Sequence, residues 1–159
     1  MLNHRLHPQK LLRNILILCC VLFVSQVEAA PRYAYTVNYF DSSISRYRID
    51  PDTGMLHHLG QMKTLKSPSS LVLSPSGKYL YVASQIIDFI AIYSVDALTG
   101  RLTEVAGSPV ASRVRSVWQM AMDPAGRYLY VPGRFTKDLV VFNIAEDTGM
   151  LTPLTEKSL

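Results

Sequence analysis

The chain has 159 residues, of which 48% are hydrophobic and 18% charged, and its formal net charge is +4. Without the first thirty residues the balance falls to +2, with 13 Lys plus Arg against 11 Asp plus Glu, which is too little charge to point to nucleic acid or an anionic membrane surface. Both cysteines, Cys19 and Cys20, lie in that same segment, so the remainder can hold no disulfide, thiol nucleophile or cysteine-bound zinc.

Residues 1–30 read as a secretory signal peptide. Arg5, Lys10 and Arg13 form a basic start, Ile15 to Val24 is an unbroken apolar run, and Val27 and Ala29 offer small residues for cleavage. The run is ten residues long, against about 20 for a membrane-spanning helix. The expectation is export to the periplasm or the exterior, with no stable membrane insertion after cleavage.

From Pro31 onward, strand-like runs and turn signals alternate with no helical periodicity. Arg32 to Asn38 is the first run. The fullest unit follows, with strands predicted at Ser70–Ser74, Tyr79–Ser84, Phe89–Val95 and Arg101–Ala106. Pro75-Ser76-Gly77 turns the first pair and Thr99-Gly100 the second, while Gly107-Ser108-Pro109 reads as the exit to the next unit. A last strand is expected at Met150–Glu156.

The unit repeats. Tyr35, Tyr81 and Tyr130, then Tyr47, Tyr93 and Phe142, then Gly54, Gly100 and Gly149 all step by 46 and then 49 residues. Periods of about 40–50 residues built from short strands are the signature of propeller blades, each of four antiparallel strands. The predicted fold is therefore all-β: a β-propeller segment of four-stranded antiparallel blades, just under three in number, over residues 31–66, 67–112 and 113–159. The first blade enters at its second strand. A blade buries its faces only against other blades, so a homo-oligomer that completes the ring is one expectation and a product without independent function another.

The tyrosines of the repeat suit packing between blades, since a half-buried pleated surface favours aromatic and β-branched side chains. Gly100 to Gly126 is 26 residues where Gly54 to Gly77 is 23, and the three extra residues are assigned to the connection between the second and third blades. That segment brings Arg113, Arg115, Trp118 and Gln119 to the face that carries the longer loops, which is where specificity usually resides. Arg134 and Lys137 on the following loop, and Lys66 one blade earlier, are placed on the same face. Together these are the candidate ligand-face residues for a small carboxylate or lactone, because Arg presents a planar fork of donors matched to a carboxylate. The plainer alternative has Trp118 packed between blades and the arginines merely solvated.

His57 and His58 fall on an outermost strand and are assigned to the surface. Asp50-Pro51-Asp52-Thr53-Gly54 has the opening of a calcium loop but not its later Glu, and reads as a turn. No cofactor, metal or nucleic-acid partner is expected.

The phrases Leu73-Ser74-Pro75-Ser76-Gly77-Lys78-Tyr79-Leu80-Tyr81-Val82, Ile92-Tyr93-Ser94-Val95-Asp96 and Leu98-Thr99-Gly100-Arg101-Leu102-Thr103 resemble the lactonase-type seven-bladed propeller family. That family includes the propeller-type 6-phosphogluconolactonases and the 3-carboxymuconate lactonising enzymes (cyclases). The resemblance implies an exported propeller with lactone-hydrolysing or lactonising chemistry. It also implies about four further blades, on which the family's proposed catalytic residues lie, so no catalytic residue is carried over to this sequence. The alternative it leaves is a non-catalytic secreted propeller that binds a ligand or protein on its loop face.

Overall fold

A computed structural model describes residues 32–135 and 137–154. The segment expected to be a signal peptide lies outside the described residues, as do residues 155 and 156 of the expected last strand, which runs over Leu151–Pro153 among those described. The rest forms three antiparallel sheets. Blade one is β1 (Arg32–Asn38), β2 (Ser43–Ile49) and β3 (Leu56–Lys63), paired in that order. Blade two is β4 (Pro68–Leu73), β5 (Tyr79–Ser84), β6 (Phe89–Val95) and an outer strand in two pieces, β7 (Leu102–Glu104) and β8 (Val110–Ala111). Blade three is β9 (Ala121–Met122), β10 (Tyr128–Pro132), β11 (Leu139–Ile144) and β12 (Leu151–Pro153). This is a partial propeller of about three blades, and blade one enters at its second strand as expected.

Two apolar seams hold the blades face to face. Tyr35, Ile44, Leu80, Val82, Ala91, Tyr93 and Leu102 fill the seam between blades one and two. Tyr81, Ile90, Ile92, Leu129, Val131, Val140 and Phe142 lead the larger seam between blades two and three. Alternation along each strand sends successive side chains to opposite faces, so β5 serves both seams, with Leu80 and Val82 toward one and Tyr81 and Ala83 toward the other.

Each seam is closed by a repeated clamp. The Tyr35 hydroxyl donates to the Gly100 carbonyl at 2.7 Å, and the Tyr81 hydroxyl donates to that of Gly149 at 2.9 Å. One pleat earlier, Tyr33 donates to the carbonyl of Leu98, and Tyr79 to that of Asp147 at 2.5 Å. The second tyrosine ring of each pair lies flat on the glycine: a Cβ on Gly100 would fall 2.4 Å from the Tyr33 ring, and one on Gly149 2.5 Å from the Tyr79 ring. Glycine is needed twice over, because both residues also hold φ above +60°. Burial pushes the Tyr35 hydroxyl up to about 12 and that of Tyr81 higher still, so both remain donors at any physiological pH.

The outer strands differ from expectation. In blade one, Tyr47 pairs with His58 and Arg46 with Gly60, so one residue, Leu59, is bulged out. In blade two the equivalent pairs are Tyr93 with Glu104 and Ile90 with Val110, which leaves three residues bulged out. Two of the three extra residues of the longer repeat therefore sit inside the fourth strand, and only one in the connection beyond it. Gly107-Ser108-Pro109, with its cis Ser108-Pro109 bond, is a wide bulge rather than an exit. The break in the ladder is repaired locally, since the Ile92 amide donates to Ser108 Oγ at 2.9 Å and the Val105 amide to the Ile92 carbonyl at 3.0 Å.

Candidate functional site

The segment from Ser112 to Met120 is fixed to its neighbours by alternate residues. Ser112, Val114, Val117 and Met120 are buried, while Arg113, Arg115, Trp118 and Gln119 are exposed. Side-chain oxygens satisfy its backbone: the Ser116 amide donates to Asp88 Oδ1 at 2.9 Å and the Met120 amide to Ser70 Oγ at 2.9 Å. Ser69 Oγ donates to the Val117 carbonyl at 2.5 Å, and the Ser112 amide to the Asp88 carbonyl at 2.9 Å. The chain turns at Arg113 and Ser116, both at positive φ. A loop pinned at this many points presents its outward side chains from a fixed base.

Trp118 is 55% exposed and does not pack between blades, contrary to the plainer sequence expectation. The Arg134 guanidinium lies 4.4 Å from the Trp118 ring centre and 5.2 Å from that of Phe135. A guanidinium held over an aromatic face keeps its edge donors free for a planar anion. Arg134 is brought there by its backbone, whose amide donates to the Ser116 carbonyl at 3.3 Å.

The other predicted residues divide. Arg113, Arg115 and Gln119 share the segment with Trp118 and are exposed. Arg115 and Lys66 hold the same repeat position, each one residue before a serine at positive φ, Ser116 and Ser67. Lys66 is thus on the loop face one blade back; its carbonyl accepts from Ser84 Oγ at 2.6 Å. Lys137, at φ 56°, is exposed on the loop that carries Arg134. No contact joins Lys66 or Lys137 to the Arg134–Trp118 stack among the described residues.

Two residues escaped the sequence reading. Asp88 anchors the segment through Ser116, and Phe135 supplies the second ring beneath Arg134. Phe135 was open to detection, because Phe40, Ile86 and Phe135 stand 46 and 49 residues apart, all exposed apolar residues at one loop position.

His57 and His58 lie on the exposed outer strand β3. Asp50 Oδ1 accepts from the amides of Asp52 and Thr53 and from Thr53 Oγ1, the pattern of a capped turn. Asp96 repeats it with Leu98 and Thr99.

The family model described as Lactonase, 7-bladed beta-propeller matches residues 25–159. A 6-phosphogluconolactonase of Photorhabdus laumondii is 38% identical over 79 residues, which is 50% of this chain and 24% of that protein. Among solved structures, a Bacteroides fragilis protein provisionally named as a 6-phosphogluconolactonase superposes with a TM-score of 0.71 at 27% identity, over 77% of this chain and 35% of its own. The Pseudomonas aeruginosa periplasmic gluconolactonase superposes with a TM-score of 0.70 at 20% identity, over 80% and 37%. The match with the Photorhabdus relative spans about a quarter of that protein's length.

Proposed function

Since the chain belongs to the lactonase seven-bladed β-propeller family, we propose that it serves a propeller that processes lactones outside the cytoplasm, with a sugar lactone as substrate class. Export rests on the sequence of residues 1–30 and is in keeping with the periplasmic gluconolactonase among its fold relatives. The names of its relatives support lactone chemistry. The observation that carries the reading is the Arg134–Trp118 stack on the loop face, with exposed Arg115 next in sequence to Ser116, whose carbonyl accepts from the Arg134 amide.

Hydrolysis of a lactone adds water to the ester carbonyl, passes through a tetrahedral oxyanion, and breaks the ring C–O bond to give a hydroxy acid. Guanidinium donors fixed in advance stabilise the charge that develops on the carbonyl oxygen and then hold the product carboxylate. The aromatic face beneath Arg134 offers an apolar plane to the carbon framework of a sugar ring.

The test is a panel of sugar δ-lactones given to the full chain, with the rate of spontaneous opening subtracted. Turnover above that rate is expected, falling at least tenfold in Arg134→Ala and in Arg115→Ala. Saturable quenching of Trp118, the only tryptophan, without turnover would favour a binding propeller. Turnover unchanged in Arg113→Ala, Arg115→Ala and Arg134→Ala would remove this site.

A further inference from the structure

The two seams between blades use equivalent positions, and at one place they differ in kind. In the seam between blades two and three, Ile92 is fully buried, and the end of Met150 lies against Gly107, 3.0 Å from where a Cβ would stand. The residues one repeat earlier, in the seam between blades one and two, are Arg46 and Arg101. Two apolar plugs are replaced by two cations, and a cavity of about 560 Å³ opens between them. Its remaining walls include the apolar Ile44, Leu59, Met62 and Leu102 beside the polar Gln61 and Thr99.

Arg46 is half-buried and Arg101 exposed, and Arg46 Nη2 donates a long hydrogen bond to the Leu59 carbonyl at 3.3 Å. Among the described residues neither Arg46 nor Arg101 forms an ion pair with an acid. A seam built only for packing would carry apolar plugs, as the other seam does, whereas here a half-buried and an exposed guanidinium border one open pocket with no acid of the described residues between them. The shorter bulge of blade one, Leu59 alone against three residues in blade two, leaves the space unfilled.

We propose that this seam is a binding site for an organic carboxylate with an apolar body. The carboxylate lies between Arg46 and Arg101, each able to offer paired donors, and the body rests on Ile44, Leu59, Met62 and Leu102. The volume is that of an ordinary small-molecule site. The site is lined from β2, the outer strands β3 and β7 and the turn before β7, and shares no residue with the loop face, so it stands apart from the lactone reading.

The probe is 4-phenylbutyrate, titrated calorimetrically into the full chain, with 4-phenylbutyramide as its uncharged twin. Saturable binding of the acid is expected, with the amide at least tenfold weaker. Arg46→Ile with Arg101→Met installs the plugs of the other seam and is expected to abolish binding without lowering the melting temperature. If that pair fails to fold, Leu59→Trp fills the cavity, keeps both cations and is expected to abolish binding alone. Equal binding of acid and amide, no saturable heat, or binding unchanged in a folded variant would each overturn the proposal.

Discussion

The clamp between blades makes a quantitative statement when two chemically identical substitutions are compared. Gly54 and Gly149 hold the same turn position with the same φ of +71°, yet Gly54 faces open space and Gly149 faces the Tyr79 ring. Alanine at either site meets the left-handed penalty, about 1 kcal/mol. At Gly149 the added methyl stands 2.5 Å from the ring, so Tyr79 must leave its place and release its hydrogen bond to Asp147. That loss adds about 1 kcal/mol for the bond and about 1 kcal/mol for the ring contact given up. Gly149→Ala is therefore expected to cost about 3 kcal/mol and Gly54→Ala about 1 kcal/mol.

Urea unfolding followed by far-ultraviolet circular dichroism measures both. With about 4 °C of melting temperature per kcal/mol in a domain of this size, the two variants should melt some 8 °C apart. Equal losses would show that the turn conformation alone requires glycine and that the tyrosine ring does not close the seam. Gly100→Ala, whose Cβ would meet Tyr33 at 2.4 Å, should behave as Gly149→Ala does.

Tyr81→Phe leaves the Gly149 carbonyl without its buried donor and is expected to lower stability by about 1–2 kcal/mol. Tyr130→Phe, at the same repeat position but with no hydroxyl partner among the described residues, should be near neutral in the same urea titration. The third prediction concerns pH. Hydrogen bonds from the Thr99 amide and hydroxyl hold the Asp96 carboxyl below its ordinary value, as those of Thr53 do for Asp50. A carboxylate with a depressed folded pKa adds stability that is fully present above its unfolded value, about 4, and is lost as pH falls through the folded one. Blade three carries Ala145 at this position, so Ala145→Asp should raise the melting temperature at pH 7, and the gain should shrink as pH falls below about 4.

The sequence carried the fold because each repeat writes its own turn chemistry and alternation. The bounds of β1, β5 and β6 follow from where Asn38, Ser84 and Val95 meet turn residues, and the structure places them there. The clamp was half legible. The tyrosines announced packing between blades, but that Tyr79 lies on Gly149, 70 residues later, follows only once two sheets are face to face.

The misplaced insertion shows what a period can and cannot locate. Spacing between Gly100 and Gly126 counts residues between two turns and is blind to how they divide between strand and loop. Register supplies that division, and register depends on which backbone groups are paired across the sheet. Pro109 was the one local clue, since a proline cannot donate to a ladder and within a sheet marks an edge or a bulge. Here it marks both, on an outermost strand broken around Ser108. Two of the three additional residues are thereby drawn into the wall of the second seam, where Val105 and Val110 pack against the core and help to exclude the space that the first seam leaves open. The irregularity taken as a mark of the loop face is thus chiefly a difference between seams, and it is legible only when Arg46 is set beside Ile92 and Arg101 beside Met150.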